Sequence, residues 1–306
     1  MNLKNEFLSF NFKQLSPLFT IYETSVLELL KNNILAFIYN DDILLYNLLK
    51  KSVECTIKDG NSGGLLSISQ LSNENIVSSY NNHTIKIWSF TNSKCKCEHI
   101  IKDARPQKIN QVIALSDNNF ASFCVENNNI KIWNSKPPYN MIKSITIEKH
   151  NRAINRLYYI QYIILIDFCI CLVEFNLQSF QCVTTYDISN VSNVIEFDDN
   201  NIVVMSKERA FTVNIKGKVI ESYIELPFVC YSLMKLRDDS ILYASNKRLA
   251  VINKMKVVQI IQCNNVDKVI PIDDNSFLTC VSEFKAVDES GEISYQNVLV
   301  FVLWRY

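Results

Sequence analysis

Apolar residues recur along the chain in a short template: apolar, two further positions, apolar, a polar turn rich in Asp and Asn, then apolar again. VIALSDNNF (112–120), VIEFDDNNI (194–202) and VIPIDDNSF (269–277) show it most clearly. VLELLKNNI (26–34), ISQLSNENI (68–76) and LMKLRDDSI (233–241) follow it, and LYYIQYIIL (157–165) keeps the apolar positions while losing the polar turn. The copies end at 34, 76, 120, 165, 202, 241 and 277, a spacing of 36 to 45 residues. Alternation before the turn predicts a half-buried strand, and Asn and Asp supply a tight turn into a second. Third strands are predicted at ILLYN (43–47), TIKIWS (84–89), NIKIWN (129–134), LVEFN (172–176), FTVN (211–214) and AVIN (250–253). Fourth strands follow, as in KCKCEHII (94–101) and MIKSITI (141–147).

Four antiparallel strands per unit at a period near 40 predict an all-β, seven-bladed β-propeller, one domain spanning 1–306. The segments TIKIW and NIKIW resemble the third-strand signature of the WD-repeat (tryptophan–aspartate repeat) family, with Trp88 and Trp133 in the Trp position. Elsewhere that position reads Tyr46, Phe175, Asn214, Asn253 and Trp304. The family's tetrad Asp is matched by Asn82 and Asn127, and Lys149-His150 is the nearest match to its Gly-His pair, so the resemblance is to a divergent member. It implies a rigid, non-catalytic scaffold that gathers proteins or peptides on its faces within a larger complex. The seventh unit lacks a fourth strand, and EFLSFNF (6–12) has the alternation to supply it and close the ring.

Composition narrows the classes. The 31 basic and 31 acidic residues balance, which argues against a nucleic-acid or anionic-membrane binder. Five Gly leave no room for a Gly-rich phosphate loop, and no signal-like apolar region opens the chain. The 10 Cys therefore read as reduced thiols in the cytoplasm. The apolar run 157–175 is long enough to span a bilayer, but Asp167 near its middle costs about 3 kcal/mol there, and its β-branched residues favour strands.

Candidate chemistry has structural explanations. Cys95, Cys97 and His99 alternate along a predicted outer strand and would share one face, yet lack zinc-knuckle spacing. The pairs Asp198-Asp199, Asp238-Asp239 and Asp273-Asp274 recur at the repeat's own turn, where Asp bonds its own backbone. Lys50-Lys51, 207–209 and Lys247-Arg248 are scattered and form no stripe. No catalytic residue, cofactor or metal is expected. An RNA-associated scaffold and an enzyme with a site at the central channel remain the competing readings. One feature breaks the repeat: 27 positions separate Phe277 from Trp304, against 12 from Ile76 to Trp88. The surplus, 283–296, falls between strands two and three of the last unit, and inserted loops often bind. Glu283, Phe284, Lys285, Asp288, Glu289, Glu292 and Tyr295 are the candidate partner contacts. SKPPYNMIK (135–143) is a second loop candidate.

Overall fold

The computed structural model describes residues 13–22, 26–39, 42–58, 64–91, 94–102, 109–115, 118–124, 126, 128–147, 154–160, 163–168, 170–236, 239–263, 266–273, 276–289 and 292–305. After β1 (Lys13–Tyr22), the strands fall into consecutive antiparallel sets of four. The first blade is β2 (Leu27–Leu30), β3 (Ile34–Tyr39), β4 (Asp42–Asn47) and β5 (Ser52–Ile57). The second is β6 (Leu65–Gln70), β7 (Ile76–Tyr80), β8 (Thr84–Thr91) and β9 (Lys94–Lys102). The third is β10 (Gln111–Ala114), β11 (Asn119–Cys124), β12 (Asn129–Asn134) and β13 (Met141–Thr146). The fourth is β14 (Arg156–Ile160), β15 (Ile163–Asp167), β16 (Leu172–Asn176) and β17 (Gln181–Tyr186). The fifth is β18 (Val191–Glu196), β19 (Asn201–Ser206), β20 (Arg209–Asn214) and β21 (Val219–Glu225). The sixth is β22 (Ser232–Lys235), β23 (Ile241–Ser245), β24 (Arg248–Asn253) and β25 (Lys256–Gln262). The fold is a β-propeller with antiparallel four-stranded blades.

Six such blades replace the expected seven. The remaining strands, β26 (Val266–Asp273), β27 (Ser276–Glu289) and β28 (Glu292–Arg305), join β1 in a sheet of different construction, ordered β1-β28-β27-β26. Its two central strands are 14 residues each, against four to nine in the blades. Its edge strand β1 slips register twice, on either side of Pro17, which has no N–H to donate to the ladder. The expected closing strand at 6–12 is corrected as well. Those residues lie outside the described ones, and the strand that pairs with β28 starts at Lys13. The template at 269–277 repeats the blade pattern, but the chain after it does not, and this is why counting templates overcounted blades.

One irregularity unifies the six blades. In each, the third and fourth strands slip by one residue, leaving a bulged residue on the fourth. The slip falls between Leu45 and Tyr46, Ile87 and Trp88, Ile132 and Trp133, Glu174 and Phe175, Thr212 and Val213, and Val251 and Ile252. The repeat position in blades five and six is thus Val213 and Ile252, one residue before the expected Asn214 and Asn253. Asn214 caps the following turn instead, and Asn253 donates its side-chain amide to Ser240 Oγ at 2.7 Å. Asn214 Oδ1 accepts the Gly217 amide at 2.6 Å, as Asn47 accepts Lys50 and Asn176 accepts Ser179, each at 2.8 Å.

β2–β17 form one compact unit, and β1 with β18–β28 another. Within each, hydrophobic clusters fill the spaces between successive sheets. Leu45, Ile57, Ile68 and Trp88 pack between blades one and two. Val77, Ile87, Val112 and Phe120 pack between two and three, and Phe123, Ile132, Leu157 and Phe175 between three and four. Met205, Leu233 and Tyr243 do so between five and six. Met234, Leu242, Val269 and Phe277 fill the space beside β26. Each such buried side chain contributes about 1.5–3 kcal/mol.

Polar side chains on first strands bracket the next sheet's backbone. Ser67 Oγ accepts from the Val112 amide at 3.2 Å and donates to its carbonyl at 3.3 Å. The Gln111 amide does both for Leu157 at 3.0 and 3.1 Å, and the Ser232 hydroxyl does both for Val269 at 3.1 and 3.5 Å. First strands cannot pair as a ladder across blades, so side chains satisfy these buried groups.

The apolar run 157–175 is β14, β15 and β16, and no described helix is long and apolar enough to cross a membrane. Asp167 ends β15 fully buried, its Oδ2 accepting the Asn155 amide at 2.7 Å.

Candidate functional site

The inserted segment extends strands and is no irregular loop. β27 and β28 stay in unbroken register from Ser276↔Arg305 to Glu289↔Glu292. β26 reaches only to the partner of Val281, and β1 only to the partner of Val298. From Phe284↔Asn297 outward, the two strands are therefore a ribbon with no third strand described on either edge. Among the candidate contacts, Glu283 pairs with Val298, Phe284 with Asn297 and Lys285 with Gln296. Tyr295 pairs with Ala286, Asp288 with Ile293, and Glu289 with Glu292. Glu283, Phe284, Lys285, Asp288 and Glu289 are thus on one strand, with Glu292 and Tyr295 on the other. The insertion was legible as a surplus of length. Its strand character was not, because EFKAVDESGEISYQ lacks a clean alternation.

The Trp-position residues lie in the blade interiors. Trp88 and Trp133 donate indole N–H bonds of 2.8 Å to Ser78 Oγ and Ser122 Oγ on the neighbouring second strands. Trp304 makes the same 2.8 Å bond to Thr279 Oγ1. Phe120 stacks on Trp133 and Phe277 on Trp304, with ring centres 6.2 and 6.0 Å apart. Phe175 is buried and Tyr46 half-buried; burial raises the Tyr46 pKa. Trp88, Trp133, Phe175 and Trp304 are buried and so out of reach of a partner, whereas Tyr46 keeps part of its surface exposed.

The bulge dissolves the expected Cys95–Cys97–His99 face. Glu98 is the bulged residue of β9, so the alternation reverses across it. Cys95 and Cys97 pack in the cluster shared with blade one, while His99 stacks on Tyr139 of blade three at 4.8 Å. Among the described residues no cluster of three or more His, Cys, Asp or Glu is placed to hold a metal. The residue after the bulge contacts the next blade's third-to-fourth-strand hairpin in a recurring way. His99 meets Tyr139, and the Lys143 ammonium lies 5.3 Å from the Phe180 ring centre. Within SKPPYNMIK, Tyr139 is buried against His99 and the Lys143 ammonium lies over Phe180, while Lys136, Pro137, Pro138, Asn140, Met141 and Ile142 are exposed.

Asp198 caps its own turn, accepting the Asn200 and Asn201 amides at 2.8 and 2.9 Å, and these bonds with the Asn201 side chain lower its pKa. Asp239 pairs with Lys235 at 2.8 Å. Asp238, Asp274, Asn127, Lys149, His150 and Cys169 lie outside the described residues. Asn82 makes a local bond, accepting the Thr84 hydroxyl at 2.6 Å. One residue of each basic group is locally engaged: Lys50 with Glu54 at 2.6 Å, Arg209 with Glu225 at 2.8 Å, and Arg248 over the Phe228 ring at 5.5 Å.

The largest pKa displacements have a common cause in burial. Tyr158 and Cys230 are pushed up to about 12 and Cys263 to about 11. Tyr186 rises further, through burial and its 2.8 Å bond to the buried Glu174. Tyr158 and Tyr186 belong to blade four, whereas Cys230 precedes blade six and Cys263 follows its last strand. An open groove of about 610 Å³ lies between β21 and β25, lined by Ile224, Leu226, Pro227, Met255 and Val257 with Glu225 and Lys256 at its margin.

No known family model matches the chain, and no curated protein matches it. The β-propeller fold thus stands on the strand topology alone.

Proposed function

We propose that the protein is a non-catalytic interaction scaffold, a divergent relative of WD-repeat propellers, that engages partner proteins or peptides through the β27–β28 ribbon. The observation that carries this reading is the ribbon itself. Two strands continue beyond the sheet from 284 to 297, and a two-stranded ribbon is marginally stable without further packing. Its edges, along which no third strand is described, offer backbone N–H and C=O groups that an extended partner segment can pair with. Two supporting facts concern the rest of the chain: the TIKIW and NIKIW segments and the Trp–Ser bond they share. A reducing, cytoplasmic setting suits the free thiols of Cys55, Cys95, Cys171, Cys230 and Cys263.

The test is affinity capture from native lysate with the intact chain and with one lacking 284–297, the cut ends joined by a short turn. Blade stability is expected to be unchanged by circular dichroism and thermal melting. Specific partners are expected to fall at least about tenfold, equivalent to about 1.4 kcal/mol of binding free energy. Undiminished capture by the shortened chain would reject the ribbon as the contact.

A further inference from the structure

Cys55 sits immediately after the bulge of β5, the place that His99 holds in β9 and Lys143 in β13. At those two places the side chain reaches the third-to-fourth-strand hairpin of the next blade. For Cys55 that hairpin ends in Cys95, at the start of β9. Both side chains belong to the cluster between blades one and two, and the two thiols are hydrogen-bonded to each other. Both are free. Cys55 is buried, whereas Cys95 is only half-buried and offers the route in. Cys97, the next inward-facing residue on β9, is directed to the carbonyl of His99 at 3.7 Å.

We propose that Cys55 and Cys95 form a redox modification site, closed by a hydroperoxide into a disulfide that staples blade one to blade two. Cys95, as its thiolate, attacks the peroxide oxygen, giving a sulfenic acid and releasing water or alcohol. Cys55 sulfur then attacks the Cys95 sulfur, the S–OH bond breaks, and a second water leaves. The peroxide takes up two electrons, and the two thiols lose one hydrogen each. Burial and the neighbouring thiol raise the Cys95 pKa, so the site is protonated at neutral pH and closes slowly. It answers sustained oxidation and is unlike a low-pKa peroxide sensor.

The experiment is prolonged incubation of the full chain with hydrogen peroxide, followed by non-reducing proteolysis and mass spectrometry. The expected product is a linked peptide pair containing Cys55 and Cys95, lighter by two hydrogens and separated by reduction. With Cys55→Ser the pair is expected to vanish and Cys95 to be trapped as its sulfenic acid by a dimedone probe. Mapping of the intact chain decides the matter even if that variant does not fold. Linkage of Cys95 to Cys97, or a Cys95 thiol that survives while the chain stays folded, would overturn the proposal.

Discussion

The Ser232 hydroxyl does two things at once, accepting from and donating to the backbone of Val269 across the seam between β22 and β26. Both residues are buried, so no water replaces the hydroxyl once it is removed. Ser232→Ala is expected to cost about 1–3 kcal/mol, the penalty of an unsatisfied buried amide, measured as a lower urea midpoint with unchanged slope. A loss under about 0.5 kcal/mol, the scale of a neutral surface change, would show that the bracket contributes little. Such residues were illegible in the sequence. Ser67, Gln111 and Ser232 occupy ordinary positions in alternating strands, and nothing local marks them as facing another sheet. Trp88 and Trp133 were legible because a large aromatic at a fixed place in the repeat has few structural equivalents. The asparagines ending β4, β12, β16 and β20 were visible as a recurring letter, yet their capping role needed the turn geometry.

At the scale of the element, strand positions were read well, and NIKIWN and LVEFN coincide with β12 and β16. Facing was read less well, because one extra residue reverses inward and outward along the rest of a strand. Cys95, Cys97 and His99 alternate in sequence but divide between two seams, since the bulge at Glu98 comes between them. The third blade offers a sharp test. Ile142 is its bulged residue and is 48% exposed, so Ile142→Ala is expected to change stability by less than about 0.5 kcal/mol. Deleting Ile142 removes the slip and turns one side of the bulge to the wrong face. More than about 3 kcal/mol is expected to be lost in denaturant unfolding, beyond most single substitutions. A deletion as mild as the alanine change would mean that the bulge does not set the facing of the fourth strand.

At the scale of the whole molecule, the period of the template declared a propeller of four-stranded blades. It did not disclose that β1, β26, β27 and β28 form a sheet unlike the six blades. A repeat reports what is alike, and the partner-binding claim rests on what is unlike: the strands that run on to Glu289 and from Glu292. The most direct test is amide hydrogen exchange of the intact chain, alone and saturated with a captured partner. In the free chain, amides of 284–289 and 292–297 are expected to exchange fast, since half of a two-stranded ribbon's amides have no ladder partner. Partner binding is expected to slow them at least about tenfold while the buried strand β19 is unchanged. Protection confined to other strands, with the ribbon exchanging as before, would contradict the account.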